Sequence, residues 1–304
     1  MTKILLCNDP AKLRAALAEY ERTVTVEAEY GDEVVDGTEA TYAHHGKRSA
    51  NPAPCLLANG VPSPRWGEKV GRVDAIGLSH IDLDAVGGTL AVLDQKPEND
   101  DFWKLAAFVD VNGPHKLAAA GALPEIVAKL YAYWAWVDGR KTYAPRDGSV
   151  ADVTEIIEET RKLLAALLFE DTEEFDQLIA RGEEFRLEGE KLNADSFVEL
   201  VGNVAVRVSP AFVNHIYTTP NGQVSKGVVA LNPTHGGITM SIADPIPGSI
   251  INCGRLVKYL WGDLAGGHAG IAGSPRNQRQ NLKELLRAAR ALDTLLWGGQ
   301  PAGE

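Results

Sequence analysis

The chain is short of cysteine, of positive charge and of long apolar runs. Its three cysteines, Cys7, Cys55 and Cys253, are scattered through 304 residues with no Cys-x-x-Cys spacing. An odd, dispersed set provides neither a disulfide framework nor a zinc ribbon, and it fits a reducing compartment, so a cytoplasmic protein is expected. Lysine and arginine number 30 against 41 aspartates and glutamates, a formal net charge of −11. An acidic chain does not hold nucleic-acid phosphates by its overall field, which leaves only a local basic groove for that purpose. No stretch approaches the roughly 18 apolar residues of a membrane span, and the opening "MTKILLCND" has too short an apolar run for a secretory signal. No membrane association is expected. Low-complexity tracts and internal repeats are lacking too.

What remains is ordinary globular composition, 45% hydrophobic and 23% charged, in a chain long enough for two domains. Near the start, "TKILLCND" reads as a short buried strand, "PAKLRAALAEYER" as a helix opened by proline, and "TVTVEAEYG" as an alternating strand. "RVDAIGLSHIDLDAVGGTLAVL" reads as strand, glycine-containing turn and helix, and "LAAFVDVNGPHK" as a second strand running into a turn. Strands alternating with helices predict an α/β domain with a mostly parallel sheet over residues 1–150. Residues 151–195 are charged and helix-periodic, which predicts a helical connector. From 196 to 304 the pattern is strand-rich and then helical, a smaller α+β domain with Asn221-Gly222 as a hairpin signal. The active site is expected in the cleft between the two domains, near the carboxyl ends of the parallel strands.

Three clusters carry chemistry. His80, Asp82 and Asp84 alternate at the end of an apolar strand, so an extended backbone presents all three on one face. Such groups either surround a cation or form a His–Asp pair followed by a helix cap. Imidazole beside carboxylates favours Mn²⁺, with Mg²⁺ as the alternative. Asp110 and His115, in "VDVNGPH", deliver a second acid and imidazole from a later strand end, or form an Asx-turn with an incidental histidine. In "AGGHAGIAGSPRNQR", Gly266 and Gly267 let the backbone approach an anion, with His268, Arg276 and Arg279 beside it.

Together these residues resemble the DHH phosphoesterase superfamily, which includes RecJ-type exonucleases, oligoribonucleases and family II pyrophosphatases. "SHIDLDAVGG" is similar to its first motif, "VDVNGPH" stands where its Asp-His-His is expected, and "GGHAGIAG" resembles the glycine-rich loop of its C-terminal domain. The resemblance spans roughly residues 73–120 and 200–280. It implies an Mn²⁺-dependent phosphoesterase with one or two ions, held by His80, Asp82, Asp84 and Asp110. His115 would be a ligand or acid near the leaving group, and Gly266, Gly267, His268, Arg276 and Arg279 would grip the substrate. That substrate is expected to be a nucleotide, a short oligonucleotide or another small phosphate ester. A strict Asp-His-His is missing, since Val111 and Asn112 follow Asp110. His44 and His45, after an alternating strand, either supply the missing imidazole or are two solvated loop histidines. Two other readings stand beside this one. A RecJ-like nuclease would use a basic strip of Arg276, Arg279, Arg287 and Arg290. A non-catalytic nucleotide or anion binder would have lost its full metal set.

Overall fold

The computed structural model describes the chain except residues 1, 31–32, 46–47, 61–71, 141, 146, 170–172, 245–250, 276–277 and 299–304. The contacts divide it into two compact units, Met1–Phe185 and Arg186–Glu304.

The first unit is a mixed α/β structure. Its strands are β1 (Lys3–Leu6), β2 (Thr23–Val26), β3 (Glu29–Tyr30), β4 (Glu33–Val34), β5 (Ala40–Tyr42), β6 (Ala75–Leu78) and β7 (Ala151–Asp152). Its helices are α1 (Pro10–Leu17), α2 (Leu83–Val92), α3 (Asp100–Asn112), α4 (Pro124–Val137) and α5 (Thr154–Phe169). The main sheet has the order β5-β2-β6-β1-β7; the first four strands are parallel and β7 is an antiparallel edge. The strands are near-continuous apolar runs because both faces are covered. Leu5, Cys7 and Ala75 face α1 through Leu13 and Leu17, whereas Ile4, Leu6, Ile76 and Leu78 face α2 to α5. α6 (Glu173–Ser196) crosses the division between the units.

Two local expectations are corrected here. The run "KLAAFVDV" is not a strand but part of α3. A short apolar run does not distinguish a strand from a buried helix. The helix signals lie just upstream: Asn99 accepts from the Phe102 amide as N-cap, and Asp100 and Asp101 fill the acidic first turn. Gly113, at φ +83°, ends the helix ahead of Pro114. Nor do Gly87 and Gly88 form a turn; they sit inside α2, every residue of which is buried. A Cβ on Gly87 would lie 2.5 Å from Cys55 Cβ, and one on Gly88 would lie 2.5 Å from Pro54 Cβ. The glycines let the helix pack directly on the 3₁₀ turn Pro54–Leu56.

The second unit carries β8 (Phe197–Val201), β9 (Val204–Val208), β10 (Gly227–Asn232), β11 (Gly237–Ile242), β12 (Gly266–Gly267) and β13 (Ile271–Gly273) in one sheet of order β12-β13-β11-β10-β9-β8. Only β9 and β10 run parallel. Alternate residues Val204, Val206, Val229 and Leu231 pack against α7 (Cys253–Trp261) and α8 (Leu282–Gly298). Ala205, Val228 and Ala230 face the other way, with Val213. Arg207 shares that second face and is fully buried. Its guanidinium donates to the carbonyls of Asn193, Ile216 and Thr218, to Asn193 Oδ1 and to Ser196 Oγ. Burial lowers its pKa to about 10.

Candidate metal centre

Three neighbouring parallel strands end side by side, and the residue or loop after each carries an acid or imidazole. Glu27 follows β2, His44 and His45 follow β5, and Ser79 and His80 follow β6, with α2 supplying Asp84 from its first turn. Asp110 comes from the last turn of α3. This is the edge of a parallel sheet where ligands collect, because each strand hands its chain to a loop there.

His44 is the hub. Its Nε2 lies 2.9 Å from Asp110 Oδ2, 3.2 Å from Asp84 Oδ2 and 3.8 Å from Glu27 Oε1. His45 Nε2 lies 2.9 Å from Glu27 Oε2 and 3.7 Å from Asp110 Oδ2. The donor atoms form two overlapping groups, Glu27–His44–His45 and His44–Asp84–Asp110, within each of which the atoms lie within 4.8 Å of one another. An imidazole nitrogen with one hydrogen cannot bond three carboxylates. Indeed Glu27 Oε1 and Oε2, His44 Nε2, Asp84 Oδ2 and Asp110 Oδ2 are buried, and none has a hydrogen bond of proper geometry. They crowd around a point rather than pairing along lines, and such a group could hold a metal ion.

The electrostatics agree. The carboxylates of Asp110 and Asp84 raise the pKa of His44 to about 10. Burial raises that of the Glu27 carboxyl, and the Glu27 carboxylate in turn raises that of His45. Glu27 also has a backbone φ of +48°, a strained conformation for a residue with a side chain, and its carbonyl accepts from Ser79 Oγ.

His80 and Asp82 form a pair beside this cluster. His80 Nε2 lies 2.9 Å from Asp82 Oδ2, and its Nδ1 lies 2.9 Å from Ser79 Oγ. Asp82 is the N-cap of α2, accepting from the Ala85 amide. Three residues expected on one face of a strand are therefore split. β6 ends at Leu78, and Asp84 is helical, turned inward to full burial. The Asp82 and His80 side chains stay 38% and 35% exposed, and that of His45 44%, so this side of the cluster meets solvent. Against its burial, His80 has a raised pKa through its bond to Asp82, and Asp82 a lowered one through the same bond.

His115 lies in the 3₁₀ turn Pro114–Ala120 and belongs to neither donor group among the described residues. The sequence reading passed over Glu27. The available signal was an acid placed immediately after the apolar run of β2, at the end of a parallel strand.

In the second unit, Gly266 and Gly267 line a cleft of about 1020 Å³ together with His235, Thr239, Leu264 and Ser274. Gly267 has φ +150°, and a Cβ there would lie 2.4 Å from Ala272 Cα. His268 is exposed, while its amide donates to the Ile271 carbonyl and its carbonyl accepts from the Gly254 amide. Arg279 donates to the carbonyls of Pro233 and Thr234. Arg276 lies outside the described residues. Among the described residues no helix is long and apolar enough to cross a membrane.

No family model and no curated protein matches the chain. Among solved structures it is similar to an exopolyphosphatase-related protein from Bacteroides fragilis, at 13% identity over 94% of this chain and 96% of that one, with a TM-score of 0.30. It is also similar to an uncharacterized protein from Helicobacter pylori G27, at 8% identity over 94% and 87% of the two chains, with a TM-score of 0.21. Superpositions this loose leave the chemistry to be read from the residues themselves.

Proposed function

We propose that the chain is a metal-dependent phosphoesterase of the DHH type acting on a small phosphate ester, such as a nucleotide or a short oligonucleotide. The observation that carries this reading is that the buried oxygens Glu27 Oε1 and Oε2, Asp84 Oδ2 and Asp110 Oδ2 crowd on the imidazoles of His44 and His45 with no hydrogen bond of proper geometry. Carboxylate and imidazole donors suit Mn²⁺, and two overlapping groups could take one ion or two. In this reading Glu27, His44, His45, Asp84 and Asp110 are the ligands, with His80 and Asp82 at the exposed edge. The run Ala43-His44-His45 carries two of the three residues that name the family, ahead of the "SHIDLDAVGG" motif in the chain.

A divalent ion held there would supply Lewis acidity towards a phosphoryl oxygen and a nucleophile near neutral pH. The remaining work falls to the chain. Burial of Glu27 and Asp84 excludes water from behind the centre, so the substrate enters from the side of His45, His80 and Asp82. His80, held between Ser79 and Asp82, is assigned the proton that the leaving oxygen needs. The net charge of −11 favours a small ligand over long nucleic acid. The test combines metal content with turnover. Purified protein should retain or take up Mn²⁺ and should release p-nitrophenol from bis(p-nitrophenyl) phosphate only when it is present. A protein that binds Mn²⁺ stoichiometrically but is inert towards this ester, nucleotides and dinucleotides would instead be a binder. One that takes up no metal overturns the reading.

A further inference from the structure

Behind Asp84 lies a device that the metal-site reading does not use. Only one oxygen of Asp84 faces the cluster; the other, Oδ1, accepts the Cys55 amide at 2.8 Å. That bond fixes the plane of the carboxylate and so aims Oδ2 at His44 and its neighbours. The turn that carries this amide packs on Gly87 and Gly88 and is also tied down by one side chain. Lys96 Nζ donates to the carbonyl of Cys55 at 2.7 Å and to that of Leu57, on either side of the turn's end. The lysine is fixed as well. Its amide and carbonyl pair with both ends of the Asn59 side chain, at 2.9 Å each. Its ammonium lies 5.4 Å from the centroid of Trp103, on the helix that carries Asp110. Among the described residues Lys96 makes no ion pair with a carboxylate; its half-buried charge is spent on two backbone carbonyls.

We propose that Lys96 is a positioning residue for the metal centre: it locks the Pro54–Leu56 turn so that the Cys55 amide orients Asp84. The inference rests on the reading of Glu27, His44, His45, Asp84 and Asp110 as ligands. Outer groups that orient a ligand commonly change metal affinity 10–100-fold when removed. Methionine at this position keeps most of the stem's length and loses the donors, together with the ammonium over Trp103. Arginine keeps both charge and donors.

The test measures Mn²⁺ binding by the loss of the free-ion electron paramagnetic resonance signal on the full chain, well below the melting temperature of each protein. Lys96→Met is expected to raise the Mn²⁺ Kd by at least about tenfold, and Lys96→Arg to recover most of the loss. A role confined to stability would lower the melting temperature and leave the Kd unchanged in the folded range, and that result overturns the proposal. Should Lys96→Met fail to fold, Lys96→Gln, which keeps one neutral donor, is read by the same Kd criterion. The unsubstituted protein separates the two claims. If it binds no Mn²⁺, the metal centre itself is wrong; if it binds and the variants bind equally, only the role of Lys96 is wrong.

Discussion

The sharpest consequence of the cluster is a stability that depends on the ion and passes through Asp84. The donor oxygens of Asp84 and Asp110 lie within 4.8 Å of each other, and Asp84 is buried. At an effective dielectric constant of about 20, two carboxylate charges at that distance repel by about 3.5 kcal/mol. The protonated His44 between them offsets part of this, at 2.9 and 3.2 Å. A divalent cation would answer all three carboxylates. On the proposed reading, Mn²⁺ at about 100 times its Kd would stabilise the folded state by about 2.7 kcal/mol. For a unit of the size of Met1–Phe185, at about 2–4 °C per kcal/mol, its melting temperature should rise by about 5–11 °C.

Asp84→Asn should abolish that rise. The substitution keeps the shape and the acceptor for the Cys55 amide and removes one of the three carboxylates around His44, while Asp110, the larger cause of the raised His44 pKa, stays. In the metal-free variant the repulsion between Asp84 and Asp110 and the attraction between Asp84 and His44 are both gone, so each protein is compared with its own melt in EDTA. The assay is a pair of thermal melts for each protein, in EDTA and in Mn²⁺, followed by circular dichroism. A parent with no Mn²⁺-dependent rise refutes the reasoning, and so does a variant that keeps the full rise.

Other outcomes follow from the same geometry. Because the carboxylates of Asp110 and Asp84 raise His44 to about 10, its contribution to the metal-free fold is complete below the unfolded value of 6.5 and is lost as pH rises through about 10. An ion at Nε2 must displace that proton, so apparent Mn²⁺ affinity measured by titration should climb about tenfold per pH unit between pH 7 and 9; a flat profile would remove His44 from the ligand set. Asp152, held down to about 2 by its bond to Lys3 and then by Thr154, adds stability above about pH 3.8 that disappears as pH falls through about 2. Since both partners are nearly half exposed and screened by solvent, Lys3→Met should leave acid unfolding close to that of the parent. Gly87→Ala should cost about 1–3 kcal/mol in urea unfolding, because its Cβ would overlap Cys55. Arg207→Leu should cost at least about 3 kcal/mol, by stranding the carbonyls of Asn193, Ile216 and Thr218; near-parental unfolding would show that water replaces the guanidinium.

The parts of this fold that were legible in the sequence are those where one periodicity acts alone. "TKILLCND", "TVTVEAEYG" and the start of "RVDAIGLSHIDLDAVGGTLAVL" hold β1, β2 and β6, though β2 stops at Val26 because Glu27 leaves the extended conformation. "LPEIVAKLYAYWAWV" became α4 because its apolar positions recur at helical spacing behind a proline. The reading failed where burial overrides pattern. In α2 residues are buried on every side, so neither strand nor helix periodicity survives. The two glycines of α2 look like a turn from composition and are a packing surface in fact. His44 and His45 were visible as a pair, but the partners that give them meaning are 17 residues upstream and 40 and 66 downstream, at Glu27, Asp84 and Asp110. Strand order, with α2 and α3 packed behind it, brings them together.

That dependence on strand order explains why Glu27 escaped notice and Asp110 was placed by the wrong argument. A parallel sheet puts the residue after each strand on a common edge whatever the order of those strands in the chain. β5, β2 and β6 are neighbours in the sheet, while β6 follows the others in sequence by more than 30 residues. A motif search that expects its pieces in one chain order finds "SHIDLDAVGG" and then looks downstream for the partner. The sheet edge points upstream, to Glu27 and to Ala43-His44-His45. Asp110 reaches the same point from a helix, its side chain brought over by packing of α3 against the turn that also holds Asp84. The chemistry is therefore specified less by spacing than by which strands are adjacent, and the residues to examine first are those immediately after each buried parallel strand.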